Sequence, residues 1–133
     1  MRSLTVDGRD PDWTDTGVAV SVGERVEIDG FGMLLPSRRP GYSYVSPTGL
    51  TPPRPGQQSI TGRLNHAALV ATVGDSVRPA PLAGTDPSEV IAVGEHRILT
   101  IRSGGELFLG VNDRKTSDNT GWFGASLTVH RRR

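Results

Sequence analysis

The sequence predicts an all-β fold, an antiparallel β-sandwich or barrel of seven or eight strands in a single domain that spans residues 1–133. Short runs in which apolar and polar residues alternate recur along the chain, and this period of two is typical of half-buried strands. No stretch of about 12 or more residues has the apolar spacing of an amphipathic helix. The 17 glycines and 10 prolines of the chain fall mostly between the apolar runs, where they are expected to form turns.

The predicted strands are spaced almost regularly along the chain, as in sandwiches and barrels. In chain order they are 18–20, 26–31, 67–73, 90–93, 98–101, 107–111 and 123–129. The run at 67–73 is continuously apolar and ends at a Gly-Asp pair, which indicates a strand buried on both faces. The segment 34–62 is rich in Pro and Gly, and because Pro cannot donate to a sheet ladder we expect a long surface excursion there.

Composition excludes several classes of protein. A chain of 133 residues can bury one core, and a net charge of +1 gives no overall electrostatic reason to expect nucleic acid or an anionic membrane as partner. Cysteine is absent, so neither disulfides nor thiol catalysis is possible. No apolar run approaches the roughly 20 residues of a membrane span, and the N-terminus lacks the apolar stretch of a signal peptide. We therefore expect no membrane insertion, and a protein that is cytoplasmic or exported by a non-classical route, or an excised domain.

The loop between the last two predicted strands contains the candidate binding residues. It places Asn112, Asp113, Thr116, Asp118 and Asn119 within eight residues. Crowded carboxylate and amide oxygens are what a hard cation such as Ca²⁺ requires, although the spacing is not that of an EF-hand. Asp and Asn are also common in tight turns, because their side chains hydrogen-bond their own backbone. The residues alone leave both interpretations open.

The other polar and aromatic residues form no recognisable site in the sequence. The three histidines, His66, His96 and His130, are far apart and are expected to be ordinary surface or strand residues. No nucleophile elbow is present, so we expect no enzyme. Trp122 adjoins the acidic loop, where it could stack on a sugar ring or pack in the core at the start of a strand.

An ordered set of short motifs resembles a known family. The motifs cover nearly the whole chain and run in this order: Trp13-x-x-Thr16-Gly17-Val18-x-Val20, Gly23-Glu24-x-Val26-x-Ile28, Gly30-Phe31 and then Pro36, Pro47-x-Gly49, Ala67-Ala68-Leu69-Val70-x-x-Val73-Gly74, Gly105-Glu106-Leu107-x-Leu109-x-Val111-Asn112-Asp113, and Asp118-Asn119-x-Gly121-x-Phe123. Together they resemble the galactose-specific bacterial lectins of the PA-IL type and their relatives.

The resemblance implies a jelly-roll-like β-sandwich of about eight strands that binds one Ca²⁺ ion, with two hydroxyls of a galactose-like sugar completing the coordination. The metal ligands it implies are the side chains of Asp113, Asp118 and Asn119 and the backbone carbonyls of Thr116 and Leu34. The loop from Asp113 to Asn119 is two residues shorter than in those lectins.

The resemblance also suggests where the sugar would be contacted. The family's sugar-contacting His and Gln fall in the excursion, which contains no His here and offers Gln57 in place of the Gln. The predicted sugar contacts are therefore Asp113, Asn119 and Gln57, with Trp122 against an apolar face of the ring.

The expected function is a non-enzymatic, calcium-dependent lectin whose partner is a galactoside or a related glycan. Single-site affinity should be weak, so useful binding would require several copies, for example in a homo-oligomer. The alternative is a structural or protein-interaction β-sandwich with a degenerate metal loop. Thermal melting with calcium and then with chelator would separate the two.

Overall fold

A computed structural model describes residues 2–50, 58–74 and 81–131 of the chain. Its eight strands are, in chain order, β1 (Arg2–Asp7), β2 (Thr14–Val20), β3 (Arg25–Leu35), β4 (Leu69–Gly74), β5 (Ile91–Ala92), β6 (His96–Thr100), β7 (Gly105–Val111) and β8 (Thr120–His130). Two short 3-10 turns, Leu82–Gly84 and Pro87–Glu89, precede β5. No helix in the described residues is long and apolar enough to cross a membrane.

The strands form two four-stranded antiparallel sheets, with orders β1-β8-β3-β6 and β2-β7-β4-β5. Strand 1 pairs with 8, 2 with 7, 3 with 6 and 4 with 5. This nesting is that of one long hairpin wrapped into a sandwich, which is the jelly roll. The all-β prediction, the antiparallel sandwich and the number of strands are confirmed.

The core lies between the two sheets and follows from the alternation within the strands. In β3, Val26, Ile28 and Leu34 are fully buried, while Glu27 and Asp29 between them point away from the core. In β8, Phe123, Ala125 and Leu127 face inward against the same core. Because successive side chains of a strand point to opposite faces, the residues between these form the outer face of the sheet.

The structure differs from the sequence prediction at several strand boundaries. Strand β1 was not predicted, because only Leu4 and Val6 are apolar in an edge strand that pairs along one side. Strand β3 continues to Leu35, into the segment that we expected to be loop, because it pairs with β8 over its whole length. The strand predicted at 67–73 begins only at Leu69, since Ala67 adopts a left-handed conformation with φ of 62°.

The Pro- and Gly-rich excursion is held against the sandwich by two isolated bridges, Leu34 with Val45 and Leu50 with His66. Its described parts, up to residue 50 and from residue 58, therefore lie beside the loop that follows β7. This contact determines which side chains surround that loop.

Candidate functional site

The loop between β7 and β8 begins with Asn112, whose side chain holds the neighbouring excursion in place. Its amide nitrogen donates to the carbonyls of Thr61 and Asn65, both at 3.0 Å, and its Oδ1 accepts from the backbone N–H of Thr61. The side chain is fully buried, and its oxygen is already hydrogen-bonded. Asn112 is therefore an anchor for the segment that precedes β4.

The two carboxylate oxygens of Asp113 have different surroundings. Its Oδ1 accepts a hydrogen bond from the backbone N–H of Lys115 at 2.8 Å, which is the turn interaction. Its Oδ2 is buried and makes no hydrogen bond within the described residues. Burial raises the pKa of Asp113 to about 6, while the Lys115 N–H and the nearby Asn119 side chain act to lower it. One oxygen thus forms the turn, and the other has no hydrogen bond within the described residues.

Asn119, at the other end of the loop, presents a second free oxygen. Its amide nitrogen donates to the carbonyl of Gly8, at the end of β1, at 2.8 Å. Its Oδ1 is buried and has no partner among the described residues. The structure therefore brings two predicted ligands, Asp113 and Asn119, close enough for the Asn119 side chain to affect the pKa of Asp113.

The other three predicted ligands, Asp118, Thr116 and Leu34, differ in how close they lie to the cleft and in whether their oxygens are already hydrogen-bonded. Asp118 lines the same cleft as Asp113, and its carboxylate acts to raise the pKa of Asp113. The Thr116 carbonyl accepts from the Asn119 N–H at 3.0 Å, so it lies inside the loop. The Leu34 carbonyl accepts from the Val45 N–H at 2.8 Å, and the chain first reaches the cleft two residues later, at Pro36.

The cleft itself is small and polar. Its volume is ≈ 90 Å³, below the roughly 300 Å³ of pockets that enclose a small molecule, so a larger ligand would lie across its mouth. The residues that line it are Pro36, Ser37, Arg39, Tyr42, Gln58, His66, Asp113, Lys115 and Asp118. Asp113 and Asp118 are its acidic residues, and Arg39 and Lys115 are its basic ones.

His66 is a cleft residue that the sequence did not indicate. It was expected on the surface or in a strand, but it is buried, with Nδ1 at 2.9 Å from the Ser59 hydroxyl oxygen. Its Nε2 lies 3.8 Å from Asp113 Oδ2. Burial lowers the pKa of His66 and so favours the neutral ring, although the Asp118 carboxylate opposes this.

No local pattern around His66 could have revealed this role. The contact arises because the segment 58–66 is tied to the loop through Asn112 and Arg114, whose backbone N–H donates to the Gln58 carbonyl at 2.6 Å. The same tie brings Gln58 to the cleft. Gln57, the predicted sugar contact, lies outside the described residues.

Trp122 lies on a different surface from the cleft. Its neighbour Phe123 is fully buried, so Trp122 points to the outer face of the β1-β8-β3-β6 sheet, where it is half-exposed. Its ring packs edge-to-face against Phe31, with centroids 6.4 Å apart. Trp122 is not among the residues that line the cleft, and the structure does not bring it to the ligand pair.

Comparison with known proteins supports a lectin-like fold. No protein-family model matches the sequence, and no curated protein matches it. The structure is similar to a solved chain described as the EclA N-terminal domain, a PllA-like lectin, with a TM-score of 0.72 and 26% sequence identity. The match covers 98% of this chain and 97% of that one. At this coarse level the comparison supports the lectin resemblance of the sequence: the β-sandwich is similar to that of a lectin domain over nearly the whole chain.

Proposed function

We propose that this chain is a non-enzymatic, calcium-dependent lectin in which a bound Ca²⁺ ion bridges the protein and a galactose-like sugar. The observation that carries the proposal is the pair of buried oxygens, Asp113 Oδ2 and Asn119 Oδ1, that lack hydrogen-bond partners within the described residues. Leaving a buried polar group without a hydrogen bond costs about 1–3 kcal/mol, so two such oxygens in one loop indicate that a ligand satisfies them. A cation would satisfy both.

The donor set at the cleft fits Ca²⁺ in type and charge. Calcium takes about 6–8 oxygen ligands in a flexible arrangement. Asp113 Oδ2, Asn119 Oδ1, the Asp118 carboxylate and the Thr116 carbonyl would supply oxygen ligands, and Leu34 remains a candidate through its carbonyl. The two carboxylates would neutralise the ion. The remaining positions would be open to water or to sugar hydroxyls.

The residues of this chain then have separable tasks. The ion, when bound, supplies the anchor for two neighbouring hydroxyls. His66 and Gln58 line the same cleft, where their side chains would contact the sugar and contribute to specificity. Asp113 is held by the Lys115 N–H and Asn119 by the Gly8 carbonyl, so both oxygens are oriented before any ligand arrives. Such preorganisation lowers the entropic cost of binding.

Weak single-site binding is expected from so shallow a cleft. A millimolar Kd corresponds to about −4 kcal/mol, and avidity through several copies would raise the effective affinity without new contacts. We therefore expect the functional form to present more than one site, by self-association or by fusion to further domains.

One observation favours the alternative, a protein-interaction module. Phe31, Met33 and Trp122 form an exposed apolar cluster on the outer face of the β1-β8-β3-β6 sheet, at 48–59% exposure. Exposed apolar patches of this kind often mark contact surfaces. The cluster does not require calcium, so a chain that bound protein partners equally well in calcium and in chelator would support this alternative.

A glycan array probed in calcium and again in chelator tests the proposal directly. We expect chelator-sensitive signal, strongest on terminal galactosides if the specificity follows the PA-IL-type resemblance. The Asp113→Ala variant should give a blank array, and Asp15→Ala, which removes a similar turn carboxylate far along the chain, should not. A blank array for the wild type, with calcium binding established separately, would refute the sugar part of the proposal and leave a structural ion.

A further inference from the structure

The cleft brings two basic side chains, Arg39 and Lys115, to the same opening as the acidic residues of the proposed ion site. Arg39 follows the end of β3, and Lys115 lies in the loop between β7 and β8, so two separate segments of the chain supply them. Both residues are exposed, and neither forms an ion pair with any residue that the structure describes. The loop and the end of β3 thus present two positive charges that the protein itself does not pair.

Lys115 differs in this respect from its neighbour Arg114. The Arg114 guanidinium donates to the carbonyls of Ser59 and Ile60, at 3.1 and 3.2 Å, and so holds the segment before β4 against the loop. Lys115 is placed beside the proposed ion site instead, because its backbone N–H donates to Asp113 Oδ1 at 2.8 Å. Its ammonium also acts to lower the pKa of Asp113, so this charge lies within electrostatic reach of the proposed ligand.

Arg39 is positioned at the cleft by a local turn. The Ser37 hydroxyl oxygen accepts from the backbone N–H of Arg39 at 3.2 Å, and Ser37 is itself a buried residue of the cleft wall. A guanidinium presents N–H donors in a planar fork that matches the oxygens of a carboxylate or a similar anionic group, whereas an ammonium acts as a compact point charge. Arg39 and Lys115 together therefore suit an anion better than a hydroxyl.

The charges of the cleft do not balance once an ion is bound. Burial favours the neutral ring of His66, so the charged side chains that line the cleft are Asp113, Asp118, Arg39 and Lys115. In the proposed function the two carboxylates neutralise Ca²⁺, which leaves both basic side chains uncompensated. Positive charges close to a bound cation weaken its binding, and a neutral sugar does not offset them. A ligand that carries negative charge would.

We propose that the sugar recognised at this cleft carries an anionic substituent, a carboxylate or a sulfate ester, which pairs with Arg39 and Lys115 while ring hydroxyls bind the ion. The inference rests on the proposed lectin function and names the class of sugar. Because the cleft is only ≈ 90 Å³, the sugar lies across its mouth, where both basic residues are exposed to a group that projects from the ring. Charge-assisted hydrogen bonds are roughly twice as strong as neutral ones, so this contact would add selectivity.

NMR titration of the ¹⁵N-labelled full chain in saturating calcium tests the inference with three methyl galactosides: the unmodified sugar, its 6-sulfate and the corresponding galacturonate. We expect both anionic ligands to bind about three- to tenfold more tightly than the neutral one, as two exposed charge pairs would provide. The difference should shrink at high salt, because exposed charges are screened. The two anionic ligands, compared with each other, show whether a carboxylate or a sulfate ester is preferred.

Single substitutions assign the effect to the two basic residues. Arg39→Gln and Lys115→Gln should each lower the affinity for the anionic ligands more than the affinity for the neutral galactoside. Arg38→Gln is the matched control, because Arg38 is an exposed neighbour that is not among the residues lining the cleft. It should keep the full preference for the anionic ligands. The calcium-induced shift in melting temperature of each variant shows whether the ion site is intact.

The possible results separate this inference from the lectin proposal. Equal affinity for all three galactosides, lost in chelator, would overturn the inference and leave a calcium-dependent lectin. No binding of any of the three, with calcium binding established separately, would overturn both. A preference for the anionic ligands that persists in both Arg39→Gln and Lys115→Gln, or that disappears in Arg38→Gln, would overturn the assignment to these two residues.

Discussion

Replacing Asp113 by Asn should stabilise the protein in chelator and destabilise it relative to wild type in calcium. Burial raises the pKa of this carboxyl from 3.8 to about 6. At pH 7.5 the ionised side chain therefore costs the folded state about 3 kcal/mol, as an order of magnitude. The substitution removes that charge, keeps an oxygen for the Lys115 N–H, and adds an amide nitrogen near the unpartnered Asn119 Oδ1.

Calcium should reverse the order of stability. If the ion binds only the folded state, wild type gains about 4.1 kcal/mol at a thousandfold excess of calcium over Kd, which exceeds the about 3 kcal/mol cost of the buried charge. A domain of this size changes its melting temperature by a few degrees per kcal/mol, so the shift at this excess should be roughly 10 °C or more. The Asp113→Asn variant lacks the second carboxylate oxygen, and its melting temperature should be the same in calcium and in chelator.

Differential scanning fluorimetry in calcium and in chelator measures both effects. Asp15→Asn is a matched control, because Asp15 accepts the same kind of turn hydrogen bond, from the Gly17 N–H at 2.8 Å, on an exposed part of β2. It should leave the calcium shift intact. Two results would refute the reasoning: a wild-type melting temperature that is the same with and without calcium, or an Asp113→Asn variant that is less stable than wild type in chelator.

Three more predictions concern the same cleft. In chelator, the stability advantage of Asp113→Asn over wild type should grow as pH rises from about 4 to about 6. In that range the carboxyl of Asp113 is ionised in the unfolded chain but stays protonated in the folded protein until the upper end, so wild type loses stability as pH rises. If denaturant unfolding gives a stability difference that does not vary with pH, the burial argument is wrong. His66→Gln should weaken sugar binding and preserve the calcium-induced shift in melting temperature, because the ring lines the cleft but is not among the proposed oxygen ligands. If a folded variant loses the calcium-induced shift, His66 belongs to the ion site instead. The double substitution R39Q/K115Q should reduce the array signal on acidic glycans more than on neutral ones, because Arg39 and Lys115 bring two positive charges to the cleft. Equal loss of signal on both classes would show that these charges play no part in the choice of glycan.

The sequence determined much of the frame of this protein. Alternating apolar residues predicted strands that correspond to β7 and β8, which bracket the loop, and the same alternation decides that Phe123 is buried and Trp122 faces outward. It also placed Asp113 and Asn119 in one loop, since their separation along the chain is short. Local pattern suffices here because strand periodicity and turn chemistry act over only a few residues.

Tertiary structure decided which residues surround that loop and which atoms are free. His66 and Gln58 reach the cleft only because the Asn112 side chain and the Arg114 backbone bind the segment 58–66 to the loop. Strand β1, whose two apolar residues form a weak pattern, is defined by its pairing with β8, and its end supplies the Gly8 carbonyl that orients Asn119. These contacts join residues that are tens of positions apart in sequence, so their geometry is set by how the sheets pair and not by any local pattern.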